Sequence, residues 1–406
     1  MLCLTSSSFW RTKTMCFRVF NDWIDAIGHR VTPPESAKTT VVSFDSLRAI
    51  LCVGICAYHL SWLPVGFGQA IMEGFFALSG FLVTKSLYSS VPKDTWQPAR
   101  GDVFCFWARR FRRLGPAFIV FIAISIWVST LVPSKTVNFD MVRIGLGGLV
   151  WISNFLTVHA VLAGKSCGPF GAILSLAVEE QFYLCLPLLI GLLCKTLFWL
   201  GRPLQPRHLL ALLGVLFATS YAFRFVAPYY HTSIVVESYA TQFRVMGFAV
   251  GCAAFIWLRS TVARFTAYCS AYGLPLVLGI ATAIVGLCLS VRSYHYLAFQ
   301  LQWAVIPVFF ACLCMVLYGW NPRASNGISR LLERGTAYIG RTSYSLYLYH
   351  PLVIYLMGAP SDPMPQRVLQ FCVSLLCGIL SYELVEVRLT RVLFSRWLSF
   401  PAGKSV

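Results

Sequence analysis

Apolar and polar positions along this 406-residue chain fall in long blocks rather than at the short periods of a water-soluble domain. Eleven runs rich in Leu, Ile, Val, Phe, Ala and Cys stand near 47–67, 70–88, 115–132, 144–163, 171–200, 208–226, 243–258, 271–291, 297–319, 337–358 and 368–387. A helix of roughly 18 or more apolar residues is long enough to cross the hydrocarbon core of a bilayer. Clusters of Lys and Arg punctuate the runs: the N-terminal tail, then Lys85 to Arg113, Lys195 to Arg207, Arg259 to Arg264, Arg323 to Arg341, and Arg388 to Lys404. Positive residues concentrate in cytoplasmic loops, so neighbouring clusters should be separated by an even number of spans. Two runs lie in every gap except that between Arg113 and Lys195, which holds three. The run 144–163 is the weakest of the trio, interrupted by Gly145, Gly147, Gly148, Ser153, Asn154 and His159. It is expected to be re-entrant or to lie flat. Irregular backbone at membrane depth survives only where protein or a watery cavity surrounds it, so such a segment would itself point to a cavity.

The predicted fold is therefore all-α, a polytopic transmembrane helical bundle of about ten spans with one re-entrant segment. Residues 1–40 read as a cytoplasmic tail, 41–390 as the transmembrane domain and 391–406 as a second cytoplasmic tail, which places both termini inside a cell's inner or plasma membrane. The first forty residues carry five basic side chains but no apolar stretch ending in a small-residue cleavage site, so they are not a removable signal peptide. An interfacial helix around Phe17 to Ile27 and a plain unstructured tail are both open. No internal repeat is evident, which weighs against a transporter built from inverted halves.

Composition agrees with this picture: 57% of residues are hydrophobic and only 12% charged, against about a quarter charged in soluble domains. The formal charge of +18 would suggest a nucleic-acid partner, but the basic residues sit in loop clusters between apolar runs, and no nucleic acid is expected. The fifteen cysteines are scattered, several inside apolar runs, without the paired spacings of a metal site or disulfide framework. They read as small core residues, and no metal site is expected.

Ionisable residues inside spans are costly and mark function or pairing. They are few here: Asp45 and Arg48 at the start of the first span, His59 further along it, Glu73 in the second, Glu179 and Glu180 in 171–200, then Arg244, His350, Glu383 and Glu386. At about 1.5 Å per residue His59 lies roughly 16 Å beyond Arg48. The spans of Glu73 and Glu179 descend from outside, which brings both to the same outer half. Histidine is readily tuned for proton transfer near neutral pH, and a neighbouring carboxylate can orient it. His59, Glu73 and Glu179 are thus the catalytic candidates, the alternative being a satisfied core histidine and interface-facing carboxylates.

Arg109, Arg110, Arg112 and Arg113 stand directly before the third span. One reading is a topogenic charge cluster; another is a phosphate site, because guanidinium forks match phosphate oxygens.

Five stretches in order then resemble a known family. Phe44-Asp45-Ser46-Leu47-Arg48-Ala49-Ile50, continuing to His59, resembles the opening Asp-Gly-Leu-Arg-Ala pattern and histidine of the acyltransferase-3 family of membrane O-acyltransferases, which includes O-antigen and peptidoglycan O-acetylases. Glu73 to Leu82 resembles its Asp-x-Phe-Phe-x-x-Ser-Gly-Phe motif, and Arg109 to Pro116 its basic motif before a span. Ser175 to Tyr183 is similar to Ser-Leu-x-x-Glu-x-x-Phe-Tyr, and Ser343 to Pro351 to Ser-Tyr-x-x-Tyr-Leu-x-His. Three departures stand out: Glu73 replaces the usual aspartate, Met246 stands where an aspartate often follows the arginine equivalent to Arg244, and the stretch around Glu386 lacks the usual proline.

The resemblance implies an O-acetyltransferase with no permanently bound cofactor. Its co-substrate would be acyl-CoA, acetyl-CoA above all, arriving from the cytoplasm. Its acceptor would be a hydroxyl of a glycan or lipid-linked sugar near the outer face, among membrane lipids. Lipopolysaccharide, peptidoglycan, a secreted polysaccharide, a glycolipid and a small natural product are all open. In this reading Arg110 and Arg113 hold the CoA phosphates, and His59 acts as general base or acyl carrier. Glu73 or Glu179 sets its tautomer, while Tyr183 or Ser79 touches the oxyanion. Arg48, Arg109, Arg244, Tyr347 and His350 complete the substrate-binding candidates. No appended globular domain is expected to meet the acceptor. The rival classes are a transporter or flippase whose polar residues relay protons, and a non-catalytic membrane scaffold.

Overall fold

A computed structural model describes residues 42–394 apart from 90, 93–94, 132–138, 166, 227–235, 238–239, 291–295, 321–326 and 359–362. The segment 17–27 and residues 1–40 lie outside the described residues. The described residues contain no strand. Their helices are α1 (Val42–His59), α2 (Val65–Leu87), α3 (Arg100–Leu131), α4 (Phe139–Leu149), α5 (Ser153–Leu162), α6 (Ile173–Trp199), α7 (Pro206–Val226), α8 (Val245–Ser290), α9 (Tyr296–Trp320), α10 (Gly327–Met357) and α11 (Met364–Ser381). The last continues as a π-helical stretch, Tyr382–Leu389, and a final turn, Thr390–Leu393. Each of the eleven apolar runs falls on helix, and seven helices among the described residues are long and apolar enough to cross a membrane.

Burial is inverted relative to a soluble protein. Phe198, Leu188 and Leu192 stand 81%, 60% and 61% exposed on the outside, whereas Arg224 and Glu73 are 0% and 1% exposed. An apolar surface of this extent is stable only against lipid.

Two parallel pairings organise the centre. Along α1 and α10, Ser46 meets Thr336 (3.1 Å), the Cys52 thiol donates to the Ser343 carbonyl (3.3 Å), and the His59 and His350 rings face each other at 5.2 Å. The contacts recur about every seven residues on both helices, the interval that returns the same helical face two turns later. Along α2 and the first arm of α8, Gly247 lies against Glu73 and Gly251 against Ala77, where a Cβ at Gly251 would stand 2.0 Å from the Ala77 carbonyl oxygen. Small residues four apart let membrane helices approach this closely.

Helix α8 doubles back along its length, its first arm parallel to α2 and its second antiparallel to α9. The rings of Trp257 and Phe265 touch at 5.6 Å, although eight residues of straight helix rise about 12 Å. Its second arm runs antiparallel to α9, with the Gln302 amide donating to the Leu287 carbonyl (2.9 Å) and Trp320 over Gly273.

The segment 144–163 is broken as its glycines predict. Helices α4 and α5 have 11 and 10 residues, and about 16 Å of helix covers only half of a bilayer core. Trp151 between them takes φ +60°. The exposed backbone is met from α6: the Gln181 amide donates to the Trp151 carbonyl and to Asn154 Oδ1, Asn154 donates to Thr241 (3.0 Å), and the Thr241 hydroxyl donates back to Gln181. Lys165 also holds Asp140 at 2.6 Å, keeping that carboxyl below its ordinary range by direct hydrogen bonding.

Candidate active site

Helices α1, α2, α3, α6 and α10 enclose a cavity of about 90 Å³. Its walls carry three arginines, Arg48, Arg110 and Arg113, one carboxylate, Glu179, and the hydroxyls of Ser79, Ser175, Ser343, Tyr344 and Tyr347. Local chemistry explains the arrangement. Pro187 in α6 has no amide hydrogen, so the Tyr183 carbonyl four residues earlier has no helical donor; the Trp107 indole supplies one at 3.0 Å. That contact fixes α3 against α6 and lays the Arg110 guanidinium over the Tyr183 ring, 4.0 Å from its centroid. Arg48 is held by Asp45 (2.8 Å). Arg113 is exposed to the cavity and has no hydrogen bond or ion pair among the described residues. Glu179 accepts from Ser79 at 2.5 Å. Three guanidiniums facing one carboxylate leave the cavity positively charged, a setting for an anionic group such as phosphate.

At the far end of this cavity the Tyr347 hydroxyl bonds Ser175 and points at the Met72 sulfur (3.7 Å). Neither His59 nor His350 lines the cavity, so Tyr347 stands as the partition between the two. Beyond it, the Tyr347 ring lies 5.5 Å from His350, which in turn faces His59. His59 is exposed at the last turn of α1, whereas His350 is buried. The expected order, arginines at one end and a histidine at the other, is thus present along α1 and α10.

The three catalytic candidates are not brought together. Glu73 is paired with Arg244 (3.3 Å), which also bonds Gln69 and lies over Phe76 and Trp303. Glu179 belongs to the arginine-lined cavity, and no carboxylate is hydrogen-bonded to His59 among the described residues. Counting residues along each helix estimated depth from an assumed start at the membrane surface. Helix α6 instead begins inside the protein, with Pro169, Phe170 and Ile173 buried. Rise also carries no information about rotation around the helix axis. Of the other candidates, Arg109 donates to the Ser86 carbonyl (3.2 Å) outside the cavity. Tyr183 supports Arg110 without lining the cavity, and Ser79 is engaged by Glu179, so neither is beside His59. Met246, where an aspartate would often stand, packs on Trp303, the ring that Arg244 also lies over, and brings no charge there.

Glu73 and Arg244 are both buried, and removing one member of a buried pair strands the other's charge. Glu73→Ala is expected to destabilise the protein by about 3–5 kcal/mol, and the joint Glu73→Met, Arg244→Met variant to recover most of it. Thermal unfolding of the purified protein in detergent measures both.

Glu386 also comes to the centre. The wider turn of the π-helical stretch rotates it toward α10, where the Ser345 hydroxyl donates to its carboxylate at 2.6 Å. Such π-helical insertions recur at functional sites. Ser175, Tyr344 and Ser343 were not singled out by sequence reasoning although they sit inside the matched stretches, because a hydroxyl in a membrane helix has no signature of its own.

The family described as "Acyltransferase domain" matches residues 41–382. An O-acetyltransferase OatA of Staphylococcus aureus (strain MRSA252) is 26% identical over 378 residues, covering 89% of this chain and 59% of the relative. A peptidoglycan O-acetyltransferase OatA of Listeria monocytogenes is 28% identical over 365 residues, covering 86% and 56%. A putative peptidoglycan O-acetyltransferase YrhL of Bacillus subtilis is 27% identical, covering 85% and 54%. The chain therefore spans somewhat over half the length of these curated relatives. No solved structure matches it. With the family's profile running from the start of α1 to the end of α11, across every wall of the cavity and both facing histidines, the chain belongs to the acyltransferase family of multi-pass membrane proteins.

Proposed function

We propose that the chain is a membrane O-acetyltransferase that takes an acetyl group from acetyl-CoA on the cytoplasmic side and esterifies a hydroxyl of a glycan, of the peptidoglycan class, at the opposite side. The observation that carries this reading is a cavity lined by Arg48, Arg110 and Arg113 whose far end abuts Tyr347, His350 and His59 in sequence. The names of the relatives support the acetyl group and the glycan. Basic clusters at one set of helix ends support the cytoplasmic entry of the donor and the placement of both termini there.

In this mechanism the CoA phosphates rest on Arg110 and Arg113, and Tyr347 moves aside to admit the thioester. His59 takes the proton of the acceptor hydroxyl as its oxygen attacks the thioester carbonyl. The tetrahedral intermediate collapses with cleavage of the C–S bond, and the imidazolium returns the proton to the departing CoA sulfur. Transfer through an acyl-histidine divides the same bond changes into two steps.

The test is acetyl transfer by the purified chain in lipid vesicles, using acetyl-CoA with a labelled acetyl group and a glycan acceptor. Label on the glycan hydroxyl is the expected result. Glycan movement across the vesicle wall without thioester consumption would replace this reading by transport. Arg113→Ala should raise the KM for acetyl-CoA at least about tenfold while changing kcat by less than about threefold, because a charge-assisted hydrogen bond to phosphate is worth about 1.5–3 kcal/mol. Unchanged KM would return the arginines to a topological role. Folding should be untouched, since Arg113 is exposed and unpaired.

A further inference from the structure

His350 is a buried imidazole with one nitrogen explained and the other not. Its Nδ1 lies 3.3 Å from the Leu346 carbonyl. A carbonyl oxygen only accepts, so Nδ1 carries the hydrogen and Nε2 of the neutral ring is left as a lone-pair acceptor. That Nε2 is buried and has no hydrogen-bond partner among the described residues. Buried polar atoms are nearly always satisfied, and an exception calls for a reason.

The reason is next to it. The His59 ring centroid lies 5.2 Å from that of His350, with the planes tilted by 39°. At this centroid separation a nitrogen of the exposed His59 ring can come within hydrogen-bond reach of His350 by rotation about its side chain. The backbone holds the two in register. Ser46 bonds Thr336, Cys52 bonds Ser343, and Gly340 lies directly on the Asp45 carbonyl, so α1 and α10 cannot slide past one another. The nearby carboxylates have other partners: Glu73 is on Arg244, Glu179 on Ser79, Glu386 on Ser345 and Glu383 on Tyr338. The adjacent Tyr347 hydroxyl is taken by Ser175.

We propose that His350 is the positioning residue of His59: its Nε2 accepts a hydrogen bond from one His59 nitrogen and thereby presents the other, unprotonated, to the acceptor hydroxyl. The inference rests on His59 acting as the base or acyl carrier. It assigns to an uncharged imidazole the orienting task that a carboxylate performs in hydrolase triads. When His59 gains its proton the same contact spreads toward His350, so the dyad needs no buried negative charge.

Glutamine and asparagine at position 350 separate this role from a structural one. The glutamine side-chain oxygen reaches the place of Nε2, whereas the asparagine amide reaches only that of Nδ1 and can satisfy the Leu346 carbonyl. The experiment compares acetyl transfer by the full chain in vesicles for His59→Ala and for His350→Ala, His350→Gln and His350→Asn, with thermal unfolding of each. The expected result is that His350→Ala lowers kcat about 100-fold with the acetyl-CoA KM unchanged, His350→Gln regains at least about tenfold, and His350→Asn stays with alanine. Should the alanine variant not fold, the glutamine and asparagine pair decides. Recovery by asparagine in place of glutamine, wild-type activity of His350→Ala, or an effect confined to the acceptor KM would overturn the positioning role while His59→Ala, if inactive, leaves the acetyltransferase mechanism standing. An active His59→Ala would remove both.

Discussion

His59→Ala is expected to abolish the proposed acetyl transfer, with a fall in kcat of about three orders of magnitude or more, while leaving a folded protein. A positioned proton-transfer group contributes about 10²–10⁴-fold, and a covalent carrier at the same position would contribute at least as much. The ring is exposed and has no hydrogen bond among the described residues. Its truncation opens no interior cavity, and the stability change stays within about 0.5 kcal/mol, as for surface substitutions generally. The contrast with the buried Glu73 is diagnostic. Loss of activity there should travel with loss of the folded state, whereas at His59 activity should disappear from a protein with an unchanged melting temperature. Activity assays on the folded fraction, isolated by size exclusion, measure the difference. Full activity in His59→Ala membranes would remove this side chain from the chemistry.

Gly340→Ala is the substitution with the largest expected effect on the fold. An added Cβ would stand 1.8 Å from the Asp45 carbonyl oxygen and 2.4 Å from its carbon. These are backbone atoms in a helix, so the only relief is separation of α1 from α10. Overpacking costs typically 1–3 kcal/mol where side chains can adjust; here nothing flexible is in the way, and a loss on the order of 3 kcal/mol or more is expected. Separation would also pull Arg48 away from the cavity and His59 from His350, so residual folded protein should be inactive. Gly335 in the same helix is the control. A Cβ there meets nothing within 4 Å, and Gly335→Ala should be neutral or stabilising by up to about 1 kcal/mol through helix propensity. Thermal unfolding of the two variants side by side checks both expectations, and equal behaviour would refute the close approach of α1 and α10.

The membership of the cavity was partly legible in the sequence; its grouping was not. Arg48, Arg110 and Arg113, expected to bind one substrate, line one cavity, and His350 lies beside His59, but Ser79 and Glu179 join the arginines rather than the histidine expected for them. The legible signals were chemical: a charge or histidine inside an apolar run is expensive enough to need a partner. The identity of the partner was less accessible. Depth counting joined Glu73 to His59, yet Glu73 turns toward Arg244, 171 positions away. The stretch around Glu386 lacks the usual proline, and the residue reaches the centre through a π-helical stretch that hydropathy cannot register.

Hydropathy and charge along the chain sufficed for the helical class, the positions of its apolar helices and the break at 144–163. These follow from the solvent, because a lipid environment demands apolar length and internally satisfied backbone whatever the neighbours are. Which face of each helix turns inward, why Gly340 is irreplaceable and Gly335 is not, and why His59 meets an imidazole rather than a carboxylate came from the packed bundle. Rotation about a helix axis is set by side chains from helices hundreds of residues apart in the chain, and no one-dimensional period records it.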